Sequence, residues 1–416
     1  MGPFWRSVYL LVKCTIGSSV LVMPYVFGHC GIVWALALIG LMMIAMFLTV
    51  VLLGHLTHAT GSNNYGDIVG SLIGGRAQVA AEIAIAVFGV STCSAFLVVV
   101  ADSFTPTLQM LLALVSVHAD VLTAWRMAVV LGGLMVLPFA FKSKLGHLDV
   151  LAMLGVALVS LIVIDVVYKF FTWDRTPPPG GPIRMRVSAT HLLPMISTIA
   201  FSYQCHIQSP RIYREMKRDD SEQSWWAVVA TGYAVCTVMY VVAGLLGYLM
   251  FGNQVSPDIA DHLGPSVQSV VGFQAIVGYV INHFPARESI YEIQHKASFM
   301  PSRGPLLGDR QIGAPRNRDG RMPRCAAYSL AVFIVLVAVG LAFILKDLQF
   351  ATAVIGGPVG SLVIFFFPGI CLHQLSRYEG RLAACWYSSL GAFFAVVFGA
   401  ALFSSFLYST LATANR

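Results

Sequence analysis

Charged side chains are scarce in this chain. Only 11% of its 416 residues are Asp, Glu, Lys or Arg, whereas an ordinary soluble domain carries roughly 25%. So few charges cannot cover the surface of a soluble protein of this length, which excludes soluble enzymes, secreted scaffolds and disordered chains. Hydrophobic residues make up 57% of the chain, and this surplus predicts a protein that crosses a membrane many times.

Sequence patterns of cofactor and metal chemistry are also missing. The eight cysteines form no CxxC pair and no His/Cys ligand spacing, so we interpret them as small core residues and predict no metal site and no organic cofactor. The absence of a phosphate loop, an HEXXH pattern and a nucleophile–base constellation favours a protein that is not an enzyme. The net charge is +7, but no basic-aromatic module accompanies it, so we expect no nucleic-acid partner and assign the excess to loops that face anionic lipid.

Long apolar stretches fill most of the sequence. A bilayer core about 30 Å thick needs about 20 residues per helix, and we find eleven stretches of that kind. They lie at about 4–27, 31–54, 79–101, 125–141, 148–171, 190–213, 225–251, 266–285, 325–345, 350–373 and 384–410. The sequence therefore predicts an all-α polytopic membrane protein with eleven transmembrane helices in a single transporter domain, residues 1–416.

The basic residues predict an orientation in the membrane. With a cytoplasmic N-terminus, more Lys and Arg residues fall on the cytoplasmic side than on the outer side, chiefly because of a long loop at about 286–324. This loop is rich in Arg and Pro, so we expect a flexible basic cytoplasmic segment. An odd number of spans then places the C-terminus on the extracellular or lumenal side.

Two of the spans contain small and polar residues in mid-membrane, followed by a proline. These stretches are residues 13–24 of the first span and residues 199–210 of the sixth. Interrupted helices survive in a membrane only where they line a cavity inside the protein. Breaks five spans apart are typical of a five-plus-five inverted repeat. We predict one repeat at about 1–171, a second at about 190–373, and an extra helix at about 384–410.

The ends of interrupted helices favour a zwitterionic ligand. Free N–H groups at the start of an outer half-helix attract a carboxylate, and exposed carbonyls suit an ammonium group or a metal cation. An amino acid carries a carboxylate and an ammonium group on one carbon, so it matches both half-helix ends. The alternative is that the small residues only allow close packing between helices.

Several motifs resemble one transporter family. The stretches Gly17–Pro24, Phe201–His206 and Gly247–Gly252 together resemble the amino acid/auxin permease family, in its branch of sodium-coupled neutral amino acid transporters, solute carrier family 38. Supporting motifs of the same branch are Glu82–Val87, Thr92–Phe96, Val255–Asp258, His283-Phe284, Ile355–Gly357 and Phe367–Gly369. The resemblance implies a leucine-transporter-like core of ten helices, transport of neutral amino acids such as glutamine or asparagine, and a plasma-membrane or lysosome/vacuole-like location.

Two positions depart from the pattern of this family. Where sodium-coupled members usually carry Asn, four residues before the first-helix Gly, this chain has Lys13, and where they carry Ser or Thr in span eight it has Gly278. An ammonium group would repel sodium from a site of oxygen ligands, so our hypothesis is that Lys13 replaces the cation and makes transport sodium-independent. A lysine with a lowered pKa could also carry a coupled proton. Alternatively, Lys13 snorkels toward the inner interface.

We therefore predict a secondary active transporter of small neutral amino acids that works by alternating access, with sodium or a proton as the coupling ion. The partners that we expect are the amino acid and the lipid bilayer, with no obligate protein partner. The alternative is a transport-inactive amino-acid sensor that signals through the cytoplasmic loop. The predicted substrate-binding residues are Ile16, Gly17, Ser18, Ser19, Thr92, Ser94, Phe201, Ser202, Tyr203, Gln204 and His206. The predicted coupling-ion region comprises Lys13, Gly278, Asn282 and His283.

Overall fold

All regular secondary structure in the described part of the chain is helical. A computed structural model describes residues 3–17, 19–116, 120–141, 148–173, 182–185, 192–216, 221–256, 258–297, 322–345 and 359–378. The helices are α1 (Pro3–Thr15), α2 (Ser19–Thr60), α3 (Tyr65–Leu72), α4 (Gly75–Leu114), α5 (Val121–Ala140), α6 (Leu148–Thr172), α7 (Leu193–Ser202), α8 (Ser209–Glu215), α9 (Ser221–Phe251), α10 (Ala260–Leu263), α11 (Pro265–Ala297), α12 (Arg324–Leu345) and α13 (Phe367–Tyr378). A 3₁₀ turn, Gly252–Gln254, follows α9, and a π-helical turn, Leu362–Phe366, precedes α13.

Six of the described helices are long and apolar enough to cross a membrane. They are Ser19–Thr60, Gly75–Leu114, Val121–Ala140, Val150–Thr172, Trp225–Gln254 and Arg324–Ile344. Large apolar side chains such as Leu48, Phe171 and Leu336 are exposed on their outer faces, as expected of surfaces that contact lipid tails rather than water. The predicted eleventh span, 384–410, lies outside the described residues.

The first two predicted spans join at a glycine corner. α2 contains Gly31 with φ 70° and ψ 164°, a left-handed conformation that favours glycine over residues with a Cβ. Beyond this corner the N–H groups of Ile32 and Val33 donate to the carbonyls of Arg184 and Met185 at 3.2 and 3.0 Å. The backbone groups freed by the corner are therefore satisfied by a neighbouring segment.

The prediction of a cytoplasmic loop at 286–324 is wrong for its first residues, because the preceding helix continues through them. α11 passes through Pro285 and ends at Ala297. The guanidinium of Arg287 is buried and donates to the carbonyl of Ala140 at the end of α5, at 2.6 Å. This charged hydrogen bond anchors the helix just after the proline. In the sequence, an Arg that directly follows an apolar span indicates the start of a loop instead. Residues 298–321 of the predicted loop lie outside the described residues.

The helices pack in two groups that face each other. One group contains α1, α2, α7, α8 and α9, and the other contains α4, α5, α11 and α12, with α6 in contact with α1, α9 and α11. Arg6 of α1 lies 3.8 Å from Glu215 of α8, so the beginning of α1 and the end of α8 share one face of the bundle, here called the Arg6 face. The interruptions between α1 and α2 and between α7 and α8 lie between the two groups.

Candidate functional site

The structure contains both predicted helix breaks. α1 ends at Thr15, and Ile16 N donates to Val12 O at 2.7 Å as the last bond of that helix, before α2 begins at Ser19. In the sixth predicted span, α7 ends at Ser202 and α8 begins at Ser209. Helix ends leave N–H and carbonyl groups without intrahelical partners, so each break exposes backbone polar groups inside the bundle.

Two tyrosines of α9 satisfy part of this freed backbone, and a threonine of the same helix bonds to a side chain of the break. Tyr233 Oη donates to Tyr203 O at 3.0 Å, and Tyr203 Oη bonds to Thr237 Oγ1 at 2.8 Å. Tyr240 Oη donates to Ser202 O at 2.5 Å. Positions 233, 237 and 240 lie on one face of a helix, so α9 lines the second break along its length with hydroxyl groups.

A small cavity lies between the two breaks. α1, α2, α4, α11 and the second break contribute its walls. Its lining residues are Lys13, Cys14, Thr15, Gly17, Ser19, Thr92, Phe96, Phe201, Gln204, Gly278, Ile281 and Asn282. Among these residues there is one cationic side chain and no carboxylate.

Two polar atoms in this cavity wall have no hydrogen-bond partner among the described residues. They are Nζ of Lys13 and Nε2 of Gln204, and both side chains are at least 95% buried. Both atoms are hydrogen-bond donors. A buried donor that lacks a partner lowers the stability of the protein. The cavity is therefore suited to a ligand that carries acceptor oxygens.

Lys13 lies inside the bundle and does not reach an interface. Its side chain is 3% exposed and packs across Gly155 of α6, where an added Cβ would lie 2.4 Å from Cε and 3.0 Å from Nζ. The alternative that Lys13 snorkels toward the inner interface is therefore wrong. Glycine at position 155 provides the space that the lysine occupies.

Phe96 of α4 occupies the space between two cavity glycines. An added Cβ on Gly17 would lie 3.1 Å from its ring, and one on Gly278 would lie 2.5 Å away. Phe96 is not among the site residues predicted from the sequence. Phe96 follows Thr92 by four residues, so the two side chains share one helix face. Beside it, Asn282 Nδ2 donates to Gly278 O at 3.0 Å, and Gln208 Nε2 donates to Asn282 Oδ1 at 3.4 Å.

The structure brings together eight of the predicted site residues. Those that line the cavity are Lys13, Gly17, Ser19, Thr92, Phe201, Gln204, Gly278 and Asn282. Ile16, Ser202 and Tyr203 lie in or beside the breaks but do not line the cavity, and Ser18 lies outside the described residues.

Three other predicted residues point away from the cavity. Nε2 of His206 bonds to Thr49 Oγ1 of α2 at 2.7 Å. His283 stacks on Tyr279 with ring centroids 6.0 Å apart, and the buried Ser94 is also absent from the lining. None of these three side chains lines the cavity in this conformation.

A larger cavity lies beside the first, toward the Arg6 face. It shares the lining residues Cys14 and Ile281 with the smaller cavity. Arg211 lies at its mouth, 3.4 Å from both Glu215 Oε1 and Glu288 Oε1. The larger cavity, which Glu215 also lines, therefore lies between the inner cavity and the Arg6 face of the bundle.

The segment around α10 packs against α2 just beyond Ser19, which lines the cavity. Ile259 N donates to Leu21 O of α2 at 3.2 Å, and Lys169 Nζ of α6 donates to Leu263 O at the end of α10. Arg184 N donates to Tyr248 Oη at 2.9 Å. The first two of these bonds hold the segment 258–263, here called the lid, against α2 and α6.

Comparison with known proteins confirms the resemblance seen in the sequence. The family profile described as "Transmembrane amino acid transporter protein" matches residues 2–412. Sodium-coupled neutral amino acid transporter 7 of Mus musculus is 25% identical over 398 residues, which are 92% of this chain and 82% of the relative. The human protein of the same name is also 25% identical, with 92% and 81% covered.

A second relative belongs to the same solute carrier family. Solute carrier family 38 member 8 of Mus musculus is 25% identical over 381 residues, 88% of this chain and 83% of that protein. The family profile covers nearly the whole sequence, and the relatives are named as transporters and solute carriers rather than enzymes. Together with its long apolar helices, this shows that the chain is an integral multi-pass membrane protein of the transmembrane amino acid transporter protein family.

Proposed function

We propose that this protein is a secondary active transporter of small neutral amino acids, such as glutamine or asparagine, that works by alternating access. The observation that carries the proposal is the cavity between two interrupted helices, where the donors of the buried Lys13 and Gln204 have no partner in the part of the chain that the structure describes. The names of the relatives, sodium-coupled neutral amino acid transporters, support the substrate class.

The wall of the cavity suggests how an amino acid would bind. Its carboxylate would meet the first N–H groups of α2 and the hydroxyl of Ser19, because a helix N-terminus attracts anions. Its ammonium group would meet the carbonyl of Thr15 at the end of α1. Its side chain would lie toward Phe201 and Gln204, and Nε2 of Gln204 would donate to a side-chain amide oxygen. Glutamine and asparagine both supply that oxygen.

Transport in this proposal is independent of sodium. Sodium needs several oxygen ligands, and Lys13 places an ammonium group in the cavity wall instead. The ring of Phe96 also fills the space that a Ser or Thr side chain in span eight would need, because it lies 2.5 Å from the position that a Cβ on Gly278 would occupy. Both departures from the sodium-coupled pattern disfavour sodium binding, since Lys13 adds a positive charge and Gly278 removes an oxygen ligand.

The two breaks, five spans apart, and the two cavities support alternating access within an inverted repeat. In this structure the lid is bonded to α2 and α6, and the larger cavity adjoins the inner one on the side of the Arg6 face. With the N-terminus in the cytoplasm, this is an inward-facing state. Substrate would enter from the outside after the lid separates from α2, and would leave past Arg211.

Uptake of radiolabelled glutamine into proteoliposomes tests this function. We expect equal uptake in sodium and choline media, with competition by asparagine. Lys13→Asn restores an oxygen ligand and should make the remaining uptake sodium-stimulated. Lys13→Met supplies neither charge nor oxygen and should reduce uptake at least about tenfold in both media.

The outcomes separate the alternatives. Strict sodium dependence of the wild-type protein would contradict the role of Lys13 while leaving amino-acid transport intact. Glutamine-dependent thermal stabilisation without any flux would contradict transport and favour a sensor. Uptake of no neutral amino acid, without binding, would contradict the proposed substrate class.

A further inference from the structure

Tyr240 contacts both helix breaks with a single hydroxyl group. The side chain is completely buried on α9. Its Oη lies 2.5 Å from Ser202 O, 3.0 Å from Ser19 Oγ and 3.2 Å from Thr15 O. Ser202 is the last residue of α7, Thr15 the last of α1, and Ser19 the first of α2. Three of the four half-helix ends that flank the breaks therefore meet at one atom.

The hydrogen-bonding capacity of a phenol limits how these contacts can be satisfied. A tyrosine hydroxyl donates one hydrogen and accepts through its lone pairs. The two carbonyls can only accept, so they compete for that hydrogen, and the shorter distance favours Ser202 O. The hydroxyl of Ser19 can then donate to Tyr240 Oη. The carbonyl of Thr15 keeps capacity for another donor, and Thr15 and Ser19 both line the cavity.

We infer that Tyr240 is a positioning residue that keeps the two breaks in register, so that Thr15 and Ser19 meet the ammonium and carboxylate groups of one substrate molecule. This inference rests on the proposed function. The ring of Tyr240 is fixed by an edge contact with Tyr203, with centroids 5.3 Å apart and planes at 89°. A fixed ring gives the hydroxyl a single position between the two breaks.

Tyr240→Phe tests the role because it removes one oxygen and keeps the ring. We expect the KM for glutamine to rise about tenfold, the scale of a lost hydrogen bond to a binding group. The maximal rate per transporter should change less than about twofold. Tyr233→Phe is the matched control, since the hydroxyl of Tyr233 bonds, among the described residues, only within the second break, to Tyr203 O and Cys205 Sγ. It should lower thermal stability and leave KM unchanged.

A double variant separates positioning from general stability. If Ser19 acts together with Tyr240, Ser19→Ala combined with Tyr240→Phe should raise KM by less than the product of the two single effects. An unchanged KM in Tyr240→Phe, or an equal rise in Tyr233→Phe, would overturn the inference while wild-type uptake upholds the proposed function. Absence of uptake by the wild-type protein would overturn both.

Discussion

The contact between Lys13 and Gly155 shows how one small residue creates room for an unusual large one. The lysine stem lies where a Cβ at position 155 would be. Glycine costs conformational entropy in a helix, and here the missing side chain opens a place for a buried ammonium group. The role proposed for Lys13 therefore depends on a residue of α6 that shows no chemistry in the sequence.

Gly155→Ala should displace the Lys13 ammonium group from the cavity wall. Overpacking of this kind costs about 1–3 kcal/mol in stability, and we expect glutamine uptake to fall at least about fivefold. Gly40→Ala on α2 is the control, since nothing lies within 4 Å of its added Cβ. The measurement is the initial rate of glutamine uptake by each variant, corrected for the amount of folded protein. Equal rates in the two variants would count against a role for the position of Lys13.

The sequence predicts where the candidate site lies, but not which side chains of each helix face it. Thr92 lines the cavity and Ser94 does not, because residues two apart on a helix point about 200° away from each other. The sequence contains both hydroxyl groups but does not indicate which face of the helix points toward the cavity. His206 lies in the irregular second break, where no periodicity applies, and it turns toward Thr49. The breaks themselves were predictable because polar and small residues rarely occur in mid-membrane.

At the scale of elements, α3 connects to the π-helical turn before α13 through one hydrogen bond. Phe367 N bonds to Leu362 O in the π pattern, and Pro368 has no N–H to offer Val363 O. Tyr65 Oη, at the start of α3, donates to Val363 O instead, at 2.6 Å. A side chain distant in sequence thus satisfies a carbonyl that a proline leaves free.

Tyr65→Phe should loosen this connection. A buried carbonyl without a donor costs about 1–3 kcal/mol, so the melting temperature of the detergent-purified protein should fall, and the amide hydrogens of α3 should exchange faster. Tyr168→Phe is a suitable control because Tyr168 is 64% exposed on α6. If both variants melt at the same temperature, the bond contributes nothing measurable.

Helix lengths were harder to predict than helix existence. The third span, predicted at 79–101, is part of the longer α4, and α11 continues twelve residues past the predicted end at Pro285. Hydropathy marks only the part of a helix that matches the bilayer core. The extensions are stabilised by tertiary contacts such as Arg287 with Ala140 O, which a window of local composition does not contain.

For the whole molecule, the lid and the two cavities indicate which side of the protein can reach the proposed substrate site. Cys14 lines both cavities, so a membrane-impermeant thiol reagent should reach it from the Arg6 face in this conformation. The lid depends on the bond from Lys169 to Leu263 O and on the pair between Lys169 and Asp165, 3.0 Å apart. Lys169→Met removes both contacts while retaining an apolar stem.

We therefore expect Lys169→Met to shift the population toward a state that is open at the lid. Labelling of Cys14 from the Arg6 face of oriented vesicles should decrease, because the cavity on that side closes as the opposite side opens. Cys325, exposed at the start of α12, is the internal control, and its labelling should not change. Equal labelling of Cys14 in variant and wild type would show that the lid does not set the balance between states. A parallel decrease at Cys325 would point to altered insertion rather than to a conformational shift.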